Sequence, residues 1–201
     1  MKGVVLISGS GSNLQSIIDN ASKIDLEIEA VISNKEDAYG LKRAQKSGIP
    51  THAINHQQFS SREEFDQNLS QLTDQYNPDI IILAGFMRIL TTKFTKKYAG
   101  KMLNIHPSLL PKFQGLNTHQ RAIDAGESEH GASIHFVTAE LDGGPVIAQS
   151  RINILADDDP ESLAKRVLVE EHTLFPKVIH WFTQGRLHLK GNNAILDGKA
   201  L

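Results

Sequence analysis

Residues Ile80 to Ala84 are apolar at every position and run straight into Gly85. So short a run with no polar alternation suits a strand covered by helices on both faces, as in a parallel sheet. The segment before it, Ser61 to Tyr76, sets Phe65, Leu69 and Leu72 at helical spacing among charged neighbours, and Asn77-Pro78 closes it. The same rhythm recurs along the first half. Val4 to Ile7, Ile28 to Ile32, Thr51 to Ile54 and Met102 to Ile105 read as strands separated by longer polar, helix-like segments. The expected fold class is therefore α/β, an open, twisted, mostly parallel sheet with helices on both faces. With 201 residues, 40% of them hydrophobic, the chain can bury a sizeable core. No repeat or linker-like shift in composition asks for a second domain.

Beyond residue 130 the rhythm changes. Ala132 to Val137 and Val146 to Ile154 are β-rich and joined by the turn-prone Leu141-Asp142-Gly143-Gly144-Pro145, which predicts a hairpin-type extension. Asp159-Pro160-Glu161 then supplies an N-cap and a first-turn proline for a helix that turns Leu163, Val167, Leu174, Val178 and Phe182 inward. Pro176 is expected to kink or divide that helix. The tail from Gly185 is expected to be a short closing segment.

Several kinds of chemistry are disfavoured. With no cysteine the chain can form no disulfide, thiolate metal site or cysteine nucleophile. None of the nine histidines has the His-Glu-x-x-His spacing, so no metal is expected. The 21 basic and 23 acidic residues leave a net charge of -2 with no long basic run, which argues against a nucleic-acid partner. The first apolar run ends at Ser8-Gly9, too short for a signal peptide or membrane span, so a cytoplasmic protein with no membrane partner is expected.

Three loops would lie at the carboxyl edge of the sheet, where open α/β folds bind ligands. Gly9-Ser10-Gly11-Ser12-Asn13 joins the first strand to a helix over Leu14 to Ala21, where free N–H groups and the helix dipole would converge on an anion. It lacks the third glycine of a dinucleotide fingerprint and the Gly-Lys-Ser/Thr of a phosphate loop, so a monophosphate is the better ligand. A plain tight turn with Asn13 as cap is an equal local alternative. Gly85-Phe86-Met87-Arg88-Ile89-Leu90 could clasp a flat heterocycle or simply be core. Asn104 and His106, two apart on an extended chain, would face the same way and could share one developing charge, with Pro107 stiffening the turn; as an isolated pair they read as ordinary strand-end polar groups. Asp142 beside His106 would favour the imidazolium, although Asp-Gly-Gly-Pro on its own reads as a turn. The three edge loops together suggest a phosphate-bearing substrate, a flat apolar co-ligand and an Asn-His pair with no nucleophile beside it.

Ile7 to Asn13, Ala84 to Leu90, Asn104-Ile105-His106-Pro107-Ser108-Leu109-Leu110-Pro111 and Leu141 to Pro145 closely resemble the folate-dependent glycinamide ribonucleotide formyltransferases, and the likeness covers nearly the whole chain. The resemblance implies a Rossmann-like formyltransferase domain over residues 1–201, with a phosphate-binding part about 1–100 and a folate and catalytic part about 101–201. It implies that Gly11, Ser12 and Asn13 bind the ribonucleotide phosphate and that Arg62, Met87, Arg88, Ile89, Leu90 and Asn104 line the folate site. Asn104, His106 and Asp142 become the catalytic group, Pro107 and Glu171 contact the substrate, and His135 borders the active site. Gln114 and Asn117 depart from the family's usual stretch after Pro111.

The implied reaction moves a formyl group from 10-formyltetrahydrofolate to the amine of glycinamide ribonucleotide in purine synthesis, in a monomer or homodimer without metal. Asn104 and protonated His106 would stabilise a tetrahedral adduct while Asp142 assists proton transfer. Rival readings are a hydrolase releasing formate from the folate, a formyltransferase acting on aminoacylated transfer RNA, and a noncatalytic module that binds folate or phosphate. Length disfavours the two enzymes, and joint retention of Asn104, His106 and Asp142 disfavours the module.

Overall fold

The computed structural model describes residues 1–201. The elements are β1 (Lys2–Ile7), α1 (Ser12–Asn20), β2 (Glu27–Ser33), α2 (Tyr39–Lys46), β3 (Thr51–Ala53), α3 (Arg62–Gln75), β4 (Ile80–Leu83), α4 (Thr92–Lys97) and β5 (Met102–His106), followed by α5 (Thr118–Asp124), β6 (Glu129–Phe136), β7 (Val146–Asn153), α6 (Pro160–Thr183), β8 (Leu187–Lys190), β9 (Asn193–Leu196) and β10 (Lys199–Ala200). One sheet of seven strands runs in the order β3-β2-β1-β4-β5-β6-β7. Neighbours from β3 to β5 are parallel, and β6 and β7 add antiparallel. The last three strands form a separate small antiparallel sheet, so the tail has more structure than the expected closing segment.

The apolar strands divide their side chains between two cores by simple alternation. Val5, Ile7, Ile80, Ile82, Leu103 and Ile105 enter one core, which also holds Leu14 of α1 and Phe175 and Val178 of α6. Val4, Leu6, Ile81, Leu83 and Met102 enter the other, with Phe65 and Leu69 of α3 and Phe94 of α4. Helices therefore cover both faces, as the unbroken apolar run at β4 requires. The same parity puts Asn104 and His106 on the α3–α4 face, near the rim.

Helix starts follow their sequence signals. Ser61 caps α3 by accepting from the Glu64 N–H, and Asp159 and Ser162 form a reciprocal capping box at α6 with Pro160 in the first turn. Pro176, however, neither divides α6 nor ends it: the helix is continuous from Pro160 to Thr183. A proline there cannot donate to the His172 carbonyl four residues back. That carbonyl instead accepts from Ser16 Oγ of α1 at 2.7 Å, while buried Pro176 packs inside the fold. A tertiary contact has replaced the missing helical bond.

Candidate active site

The order of the sheet reverses at β1, which lies between β2 and β4, and the loops that follow β1, β4 and β5 meet at the carboxyl edge. A buried polar strut ties the first two together. Ser8 Oγ donates to Asn34 Oδ1 at 2.5 Å and accepts from the Met87 N–H at 2.7 Å, linking the ends of β1 and β2 to the loop after β4. Ser8 and Asn34 are 4% and 2% exposed, so neither partner has water to fall back on. Ser8→Ala is expected to cost about 1–3 kcal/mol, chiefly by leaving buried Asn34 Oδ1 unmatched. It should also speed hydrogen exchange at the Met87 amide at least ~10-fold, the equivalent of about 1.4 kcal/mol of local protection. Unchanged exchange would show that the strut does not hold the loop.

The first loop has a geometry that can cradle an anion. Gly11 is left-handed (φ 69°, ψ 31°) and stands at the N-cap of α1 without any side-chain cap. The first amide of the helix with an internal partner is that of Gln15, bonded to the Gly11 carbonyl at 2.9 Å. The N–H groups of Ser12, Asn13 and Leu14 are thus left to face outward with the positive end of the helix dipole. Asn13 does not cap the helix. Its side-chain Nδ2 donates one of its two hydrogens to Glu171 Oε2 of α6 at 2.7 Å, and its backbone N–H is left for an anion. Glu171 is 6% exposed with no cation paired to it, and burial pushes its carboxyl above the usual carboxylate range. Asn13 Oδ1 is buried and unpartnered. Next to the cradle, then, stand two acceptors suited to a ligand's hydroxyl or amide donors.

The predicted catalytic residues converge. β5 and β6 pair with Asn104 opposite His135 and His106 opposite Ser133. His135 Nδ1 lies 2.9 Å from the Phe136 carbonyl, which assigns the proton to Nδ1 and leaves Nε2 to accept from Asn104 Nδ2 at 3.0 Å. Burial lowers the His135 pKa, in keeping with a neutral ring. Asp142 sits between the two histidines, with Oδ1 3.7 Å from His135 Nε2 and Oδ2 3.4 Å from His106 Nδ1. His106 is 6% exposed, and its other nitrogen, Nε2, faces the Phe113 carbonyl at 2.9 Å. Oxygen atoms thus stand near both ring nitrogens of His106.

The loop after Pro111 holds Asp142 in place. The Gly115 N–H donates to Asp142 Oδ2 at 2.9 Å, and Gln114 Nε2 donates to the Asp142 carbonyl at 3.2 Å. Asn117 takes the left-handed N-cap position of α5 (φ 57°) without a side-chain cap bond. Underneath, buried His130 bonds the Pro107 backbone and receives His119 Nδ1 at 3.1 Å. Burial is the main cause that lowers the His130 pKa from 6.5 to about 4. Because its folded value is depressed, the stability it contributes is present above pH 6.5 and is lost as pH falls toward 4. By pH 5 that loss should reach about 2 kcal/mol. Urea unfolding at pH 7 and pH 5 should show a correspondingly shallower loss in His130→Gln; equal losses would refute the assignment.

A cleft opens beside this group, lined by Phe86, Arg88, Ile89, Leu90, Asn104, His135 and Asp142 together with the stretch Val137 to Leu141. Its floor mixes apolar side chains with the edge of the polar chain, which suits a flat heterocycle. The Arg88 guanidinium lies 4.9 Å over the Phe65 ring, and buried Asp66 holds the Thr91 N–H at 2.5 Å, fixing the end of the loop. Of the residues expected at the cleft, Met87 is 63% exposed and enters through its backbone bond to Ser8, and exposed Arg62 begins α3 outside the lining. The cleft draws on residues before and after 100, so the two expected parts of the chain share it. Sequence reasoning overlooked the wall from Val137 to Leu141, Phe113 and Gly115; the only signal was the hairpin reading that put the Asp142 turn after β6.

A profile of the formyl transferase family matches residues 1–179. The chain is 53% identical over 203 residues to the phosphoribosylglycinamide formyltransferase of Escherichia coli (strain K12), covering 100% of this chain and 96% of that protein. It is 42% identical over 193 residues to the trifunctional purine biosynthetic protein adenosine-3 of Homo sapiens, covering 95% of this chain but 19% of that protein. The phosphoribosylglycinamide formyltransferase structure from Coxiella burnetii superposes with a TM-score of 0.96 at 54% identity, covering 100% of this chain and 95% of that one. Glycinamide ribonucleotide transformylase 1 from Symbiobacterium toebii follows the same path, with a TM-score of 0.94 at 39% identity over 98% of this chain and 93% of that one. No helix is long and apolar enough to cross a membrane.

Proposed function

Because this chain belongs to the formyl transferase family, as an enzyme of the phosphoribosylglycinamide formyltransferase kind, we propose that it carries a formyl group from 10-formyltetrahydrofolate to the amine of glycinamide ribonucleotide through Asn104, His106 and Asp142. The observation that carries this reading is the cluster of Asn104, His135, Asp142 and His106 along the edge of an apolar cleft. The cradle at Gly11, Ser12 and Asn13 takes the phosphate of the acceptor, and Glu171, behind Asn13, faces its hydroxyl or amide donors. The cleft walled by Arg88, Ile89 and Leu90 takes the folate ring, with Met87 contributing backbone.

In this reading the acceptor amine forms a new bond to the formyl carbon, and the carbonyl electron pair moves onto oxygen. Asn104 retains a second Nδ2 hydrogen beside the one given to His135, and that hydrogen serves the developing oxyanion. His106 supplies the other donor by exchanging one of its two present acceptors for the adduct oxygen. Exchange of the neutral Phe113 carbonyl is favoured, because it leaves the charged ring beside Asp142. Collapse breaks the bond to the folate nitrogen, which leaves with the proton that the attacking amine gives up; Asp142 and His106 relay it. The chain needs no covalent intermediate for this. His135, kept neutral, fixes the Asn104 amide with its hydrogens forward.

The test follows absorbance of the deformylated folate with purified enzyme, a 10-formyl folate and glycinamide ribonucleotide. Product should require both substrates. Release without the ribonucleotide would mean a hydrolase, and tight binding without product would mean a sensor.

A further inference from the structure

We infer that Arg43 is the cation that neutralises the acceptor's phosphate, a binding residue beyond the glycine-serine-asparagine loop. The inference rests on the acceptor named above. A cradle of three amides at one helix end supplies roughly half a positive charge, whereas a phosphate monoester carries about -1.5 to -2 at neutral pH. A nearby cation is therefore the missing component, and α2 delivers one. Arg43 Nε donates to the carbonyl of Ser10 at 2.9 Å, inside the loop itself, and Nη1 approaches Gln15 Oε1 of α1 at 3.3 Å. A Cβ built on Gly11 would lie 3.5 Å from Arg43 Cδ, so the side chain runs directly over the left-handed turn.

Arg43 is held in position but its charge is not consumed. Both of its hydrogen-bond partners are neutral, and it joins none of the ion pairs of the chain. Its guanidinium centre lies 5.0 Å over the Tyr39 ring, which fixes the plane of the group. Of the five N–H donors of an arginine, two are engaged, and the remaining three form a fork suited to phosphate oxygens. The field of Arg43 also reaches His172, the neighbour of Glu171 on α6: after burial, it is the second cause that lowers the His172 pKa. Arg43 and the Glu171 region thus flank the same cradle from two helices.

The experiment compares two acceptors, glycinamide ribonucleotide and the corresponding riboside without phosphate, in the wild type, Arg43→Gln and Arg43→Lys. Arg43→Gln should raise KM for the ribonucleotide ~10- to 100-fold, the range of a charge-assisted contact, while kcat and KM for the formyl donor stay within about twofold. The riboside should be used about as well as by the wild type, so the preference for the phosphorylated acceptor shrinks by the same factor. Arg43→Lys should lie between. If either variant loses efficiency equally toward both acceptors, Arg43 only props the loop and the inference fails. If Arg43→Gln does not fold, Arg43→Lys alone decides by that comparison. A wild type that prefers neither acceptor would overturn the proposed function itself, whatever the variants do.

Discussion

Replacing His106 with alanine is expected to lower kcat on the order of 100-fold or more while leaving the affinity for the phosphorylated acceptor within a few fold. The ring stands on β5, away from the anion cradle at α1, so the two readouts separate by position. Asp142→Asn should fall in the same range for a different reason. An amide at position 142 can still accept from the Gly115 N–H and keep the loop closed, but it removes the negative charge 3.4 Å from His106 Nδ1. The comparison therefore isolates charge from shape. Single-turnover rates and acceptor affinity, measured side by side, decide the matter: full turnover in either variant would remove that residue from the chemistry.

Gly11→Ala is expected to raise KM for the ribonucleotide at least ~100-fold and to cost about 2–5 kcal/mol in stability. Two penalties coincide at this position. The residue has φ 69°, where an L side chain costs about 1–2 kcal/mol. A Cβ there would also come within 2.5 Å of Gly40 Cα, and overpacking of that kind costs about 1–3 kcal/mol. The obstacle is backbone and cannot rotate away. Relief must come from shifting the N-terminus of α1 away from α2, which turns the free amides off the phosphate. Gly40 is held from its own side, because its N–H donates to the Gly9 carbonyl at 3.0 Å. Calorimetric unfolding and acceptor KM should change together; a stable Gly11→Ala with unaltered KM would show that the turn tolerates a side chain and that the cradle lies elsewhere.

Much of this architecture was legible in the chain alone, for physical reasons that differ by element. The Ile80 to Ala84 run demanded cover on both faces, and the Ser61 and Asp159 caps marked helix starts through local bonds that need no tertiary partner. Pro176 shows where that logic stops. Its helical cost was legible, but relief came from Ser16, 160 residues away in the chain, which no local pattern encodes. The small terminal sheet was missed for a related reason: its strands are four, four and two residues long, too short to display a period.

The site divides in the same way. Residue type, spacing and strand parity were set by the sequence: two positions apart on one strand face one way, so Asn104 and His106 had to share a side. Distance between separate segments was not. The approach of Asp142 to two histidines, of Asn13 to Glu171 across 158 positions, and of Arg43 to the Ser10 carbonyl depends on how β6 folds back on β5 and how α1 packs on α2 and α6. Short-range conformational preferences act within a few residues and are written in them. Convergence of remote groups results from burying the two faces of one sheet, and only the packed fold decides it.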